Sequence, residues 1–167
     1  PDLTPGVAWS PFISGTLSFT RAYRFAGGAV EVGIRFTNAI APLPAGEIRF
    51  YDEGEELFVG AAAIGHTPLG SDVDLAVGAA FDLTGERVQA SRQRITAALY
   101  RDTYRIALRS AKDAPVEVEV VETLPGTWTI IDPSLPYERL DAQRVLFRVL
   151  VPAGGTADVH YPVEWQD

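Results

Sequence analysis
The chain has 167 residues, of which 47% are hydrophobic, with a net charge of −8 and neither Cys nor Met. This length and apolar content suit one generous domain or two small β-sandwiches and exclude a disordered chain. The acidic balance, without a basic run, argues against nucleic acid and anionic membranes as partners, and the lack of Cys rules out disulfides, Cys-ligated metal and a thiol nucleophile.

No apolar run approaches the ~20 residues of a membrane helix, so direct membrane insertion is not expected. Residue 1 is Pro and no Met occurs, so the chain is expected to be a piece of something longer. Lys112 is the single lysine beside thirteen Arg, a bias that fits a GC-rich genome.

Residues 1–16 are rich in Pro, Gly and Ser and are read as a lead-in. Leu17, Phe19, Tyr23 and Phe25 then alternate with polar residues, and Val30, Val32, Ile34 and Phe36 resume the alternation after Gly27-Gly28. A two-residue turn at Gly27-Gly28 makes this a hairpin and sets its register: Arg24 opposite Glu31 and Tyr23 opposite Val32. Residues 47–51 and 57–61 form a second expected hairpin around the acidic tip Asp52–Glu56. Val73, Leu75 and Val77 alternate, and Asp82-Leu83-Thr84-Gly85 has the residue order of a type I turn. Residues 91–100 carry both helical spacing and strand character; the strand reading is preferred because the neighbours are strands.

The most regular stretch is Pro115 to Trp128, where Val116, Val118 and Val120 alternate with Glu117 and Glu119. That period of two, in β-branched residues, predicts a strand opened by Pro115 and closed by Leu124-Pro125-Gly126. Residues 145–151 read as a central strand, and Ala157, Val159, Tyr161, Val163 and Trp165 as the last one. The expected class is therefore all-β: an antiparallel β-sandwich, in two immunoglobulin-like halves in tandem at 17–92 and 93–167. A short echo between Leu43-Pro44-Ala45-Gly46 and Val151-Pro152-Ala153-Gly154 accords with two halves.

An ordered set of segments resembles the bacterial domain-of-unknown-function family 4139. The segments are L-P-A-G-E-I-R-F-Y at 43–51, F-V-G at 58–60, I-G-H-T-P at 64–68, V-G-A-A-F-D-L-T-G-E-R at 77–87 and Y-R-I-A-L-R-S-A-K-D-A-P-V-E-V at 104–118, followed by Trp128, the 151–154 segment and Tyr161. Ser110 stands where the family pattern has Asn. The resemblance implies a β-rich C-terminal domain of longer, often exported proteins, with no activity attached, and hence an extracytoplasmic location.

Candidate site residues are few. His66, in the I-G-H-T-P turn, reads as a metal ligand or general base, or more simply as an imidazole bonding its own loop. Asp82 and Arg87 bracket the Thr84-Gly85 turn and are expected to pair across it, with anion binding as the alternative. Asp72, Asp74 and the acidic tip lack the spacing of a calcium loop, and neither His lies at zinc-ligand spacing, so no metal and no cofactor are expected. Trp128 and Tyr137 flank loops and are the expected aromatic anchors of a binding surface. Two classes of function remain. One is a non-catalytic structural or binding module for a protein or a cell-envelope polymer. The other is a hydrolase whose site assembles His66, Asp82 and Arg87.

Overall fold
The computed structural model describes residues 13, 15–51 and 58–166, so the acidic tip and most of the lead-in lie outside the described residues. β1 (Thr20–Phe25) and β2 (Glu31–Thr37) flank the Gly27-Gly28 turn, where Gly27 has φ of +86°. Their register places Arg24 opposite Glu31 and Tyr23 opposite Val32, as the alternation and a two-residue turn require. β3 (Gly46–Tyr51) and β4 (Phe58–Ile64) form the second expected hairpin. β5 (Asp72–Ala79) then pairs with β2.

β6 (Leu83–Arg94) and β7 (Leu99–Ser110) make a long hairpin, so the ambiguous 91–100 stretch is strand, turn and strand. The type I turn expected at Asp82–Gly85 is not formed, because those residues lead straight into β6. Gly85 has a different purpose there: a Cβ at this position would lie 2.4 Å from the Phe25 ring. Glycine lets the aromatic ring close onto the strand backbone.

β8 (Val116–Thr123) ends at Leu124-Pro125-Gly126 and is followed by β9 (Thr127–Ile130) and the short β10 (Tyr137–Arg139). β11 (Arg144–Val151) and β12 (Thr156–Gln166) complete the chain.

The strands form three sheets: β10-β11-β8-β1-β2-β5, β6-β7-β12-β9 and β3-β4. One pairing departs from the antiparallel expectation. β1 runs parallel to β8, with Tyr23 opposite Val118 and Phe25 opposite Val120. Through that pair the six-stranded sheet joins strands from both sides of the division expected at residue 92, which itself falls inside β6.

Two apolar cores lie under this shared sheet. The larger packs Phe25, Val118, Val120, Phe147 and Val149 against Ile106, Leu108, Val159, Tyr161 and Val163 of the four-stranded sheet. The smaller packs Ile34 and Phe36 against Phe50 and Ile64 of the β3–β4 hairpin. β1 serves both, because Leu17 and Phe19 ahead of and beside its start meet the small core while Phe25 meets the large one.

At the small core, the buried Asn38 ties the two adjoining loops together. Its amide donates to the carbonyls of Ala41, Thr67 and Pro68 at 2.7, 3.2 and 3.0 Å. That one side chain thus links carbonyls of both Pro-rich loops, beside the backbone bonds that Leu43 and Ser71 give to Thr67 and Pro68.

Candidate functional site
The residues singled out in the sequence are not brought together. His66 is exposed in the loop after β4. That loop is fixed by others: Thr67 and Leu43 exchange two backbone hydrogen bonds at 2.9 Å, and Asn38 caps both segments. Asp82 pairs with Lys112, and Arg87 donates from Nε to Glu122 at 2.7 Å. The expected Asp82–Arg87 pair is therefore corrected. Extended backbone advances ~3.3 Å per residue, which carries Arg87 well along β6, away from Asp82.

Trp128 is 7% exposed and belongs to the large core; its indole N–H donates to the Ala142 carbonyl at 2.8 Å. The Arg139 guanidinium lies 4.3 Å from the centre of its ring. Trp128 is thus a platform for Arg139. Tyr137, at 38% exposure, keeps an open face, with its ring 5.8 Å from Phe147.

What the sequence reading passed over is a pair of carboxylates inside the sandwich. Glu122 is 2% exposed and Asp102 is fully buried. Glu122 accepts from Arg87 and from the Tyr161 hydroxyl. Asp102 accepts two bonds of 2.9 Å from Arg92, one of 2.8 Å from the Trp165 indole and one of 3.2 Å from the Tyr104 hydroxyl. Arg87 lies 4.0 Å over the Tyr104 ring, so the two carboxylates belong to one chain of contacts. A signal for both was present. Glu122 is in phase with Val116, Val118 and Val120, and Asp102 with Tyr104, Ile106 and Leu108, so period two alone puts them inward.

The electrostatics follow from these bonds. The Arg92 hydrogen bonds hold the Asp102 carboxyl below the usual carboxylate range, against the effect of burial. Burial, with the Glu122 charge beside it, pushes the Tyr161 hydroxyl far up, so it remains a donor. Among the described residues no buried side-chain nitrogen or oxygen lacks a partner.

The outward face of the six-stranded sheet carries charge from every strand. Arg35 binds both oxygens of Glu119 at 2.8 and 2.6 Å and reaches Asp74 at 2.8 Å, while Arg24 meets Asp74 at 2.9 Å. Arg148 bonds Glu138 at 3.0 Å and approaches Glu117 at 4.0 Å. Beside Arg35 an open groove of about 500 Å³ is lined by Thr20, Thr37, Asp72 and Asp74. Thr37 already donates to Asp72 at 2.7 Å. Among the described residues no group of three or more His, Asp or Glu stands where a metal ion would be held. Among the described residues no helix is long and apolar enough to cross a membrane.

This arrangement can order backbone, resist shear between sheets and present a charged surface. Its inward carboxylates accept from Arg87, Arg92, Tyr161, Tyr104 and Trp165, and on the outward face Glu119 and Asp74 bridge arginines. No family model matches the chain, and no curated protein or solved structure is similar to it.

Proposed function
We propose that this all-β domain is a non-catalytic structural and binding module, of the kind carried by a larger exported bacterial protein. The observation behind this reading is that its inward carboxylates are held by groups of the scaffold itself. Glu122 and Asp102 together accept six hydrogen bonds, from Arg87, Tyr161, Arg92, Trp165 and Tyr104. Glu122 on β8 is held by Arg87 and Tyr161 of the facing sheet, and Asp102 by Arg92, Tyr104 and Trp165 of its own, so in this reading both fix the scaffold in one arrangement. In this reading two cores under one sheet stand in place of two immunoglobulin-like β-sandwich halves in tandem.

The resemblance to the family 4139 segments supports the same proposal. The quoted pieces fall on β3 and β4, on β5 into β6, and on β7 into β8, which are hairpins and connections of the scaffold. An extracytoplasmic location, and a protein or cell-envelope polymer as partner, belong to this proposal and rest on that resemblance.

The test is a turnover panel of esters, peptides and glycosides with the purified chain. No turnover is expected. Turnover lost on Glu122→Gln, in a variant that keeps its circular dichroism spectrum, would overturn the reading in favour of a hydrolase.

A further inference from the structure
β6 is an edge strand of twelve residues, paired along one side by β7. Its residues from Glu86 to Arg94 are exposed without interruption. Edge strands expose a row of alternating N–H and C=O groups, and proteins shorten or cover such strands or set bulges and charges on them, which turn away apolar and like-charged strands and leave an oppositely charged one. The other edge of the same sheet, β9, has four residues, and the β10 edge of the large sheet has three. β6 is not shortened in this way, and among the described residues no strand lies against its free side.

Charge marks the same strand. The segment 83–110 holds six Arg (87, 92, 94, 101, 105 and 109) against Glu86 and Asp102, a balance of +4. The whole chain is at −8, so the remainder stands at −12. Asp158 and Glu164 of β12 answer Arg105 and Arg101 on the outward face. On the inward row, Arg87, Arg92 and Arg94 line the rim of β6. Arg87 and Arg92 are five apart and would take opposite faces of a regular strand. A β-bulge between Gln89 and Ser91 brings them to the same side, where Arg87 meets Glu122 and Arg92 meets Asp102. Arg94 has no carboxylate partner among the described residues; it donates to the carbonyls of Thr96 and Ala97. Arg92 is 56% exposed despite its bonds.

We infer that β6 is a docking edge for an extended acidic segment of another protein, which adds a strand to the sheet and faces Arg92 and Arg94 with carboxylates two residues apart. The backbone row selects a polypeptide, because only a second peptide chain offers donors and acceptors in matching order. An anionic polysaccharide would meet the charges and leave that row unmatched. A second copy of β6 fits badly. It brings Arg87, Arg92 and Arg94 with Glu86 as the one acid of the strand, a balance of +2, to an edge of the same composition, and like charges across a strand pair repel.

This inference rests on the binding-module reading, and its test separates the two. The probe is a synthetic heptapeptide, Thr-Glu-Val-Glu-Val-Glu-Thr with blocked ends, beside a version with Gln in place of Glu. Hydrogen exchange of the purified chain should slow at residues 86–94 with the Glu peptide and not with the Gln peptide. Arg94→Glu should weaken Glu-peptide binding by about tenfold or more, and a Lys version of the peptide should then bind the variant. Arg94 bonds two carbonyls of its own turn and lies 5.9 Å from the centre of the half-buried Tyr100 ring, contacts at the end of the hairpin, so the variant is expected to fold; an unchanged melting curve confirms it. Absence of protection on β6, binding indifferent to Arg94→Glu, equal protection by alginate, or a peptide-free dimer with β6 protected would each overturn the docking edge. Turnover in the substrate panel would remove the module reading and leave β6 protection standing. Failure at β6 without turnover would remove this inference alone.

Discussion

The two ends of the shared six-stranded sheet are held by different means. Among the described residues, the four-stranded sheet over β8 and β11 buries eighteen apolar side chains around the carboxylates of Glu122 and Asp102. Over β2 and β5 the β3–β4 hairpin buries four among the described residues, with Val59, Val73, Leu75 and Val77 only partly covered. Hydrophobic burial scales with area removed from water, so the large core carries most of the stability. The small core leans on Asn38 and its loop carbonyls for order. Burial also separates the carboxylates of two ion pairs: Glu122, held by Arg87, lies inside the sandwich, and Glu119, held by Arg35, lies on the outward face.

That contrast in burial can be broken first at Arg87. Arg87→Leu leaves Glu122 inside the sandwich with the Tyr161 hydroxyl as its remaining partner, and should cost about 3–5 kcal/mol in a chemical denaturation curve. Adding Glu122→Gln should recover part of the loss, because the uncompensated charge is the larger cost.

Acid acts on the same kind of group. Arg92 bonds lower the Asp102 carboxyl, Arg35 bonds lower Glu119, and at Asp74 burial acts upward but is outweighed by Arg35 and Arg24. Groups lowered on folding stabilise above the unfolded pKa and lose that contribution as pH falls through the folded one. The melting temperature should therefore hold near neutrality and drop progressively below about pH 4. Asp102→Asn should flatten this acid limb. At the alkaline end Tyr161, raised by burial and by the Glu122 charge, gives stability that is lost as pH rises past about 10.

Smaller effects sharpen the comparison. Gly85→Val sets a side chain against the Phe25 ring and should cost about 1–3 kcal/mol by the same denaturation measurement. Arg35→Gln, although it removes three short bonds, acts on an exposed face and should cost about 0–1 kcal/mol. A loss at Arg35 as large as that at Arg87 would remove burial as the explanation.

Much of this architecture was legible in local pattern. The Gly27-Gly28 hairpin came out in its expected register because alternation and turn geometry constrain the same pairing. The β8 strand and its Leu124–Gly126 stop were equally plain. The parallel β1–β8 pair was not, since nothing local to Tyr23 or Val118 encodes a partner some 95 positions away. Asp82 and Arg87 misled for a related reason: Thr84-Gly85 has turn chemistry, and only the approach of Phe25 explains glycine in a strand. Trp128 was expected at a surface because it borders a loop, yet its ring completes the large core under Arg139. Glu122 and Asp102 were readable from phase but were masked by the nearby surface acids Glu117 and Glu119, which share their residue type and not their face.

The most direct test of two unequal cores under one sheet is native-state hydrogen exchange across a low denaturant series. Amides of β3 and β4 should open by a local route, at a free energy well below that of global unfolding, while β7, β8, β11 and β12 exchange only with the whole molecule. Phe50→Ala should lower the opening free energy of β3 and β4 and leave the other set in place. A single shared opening free energy for all these strands, moved as one by Phe50→Ala, would contradict the account.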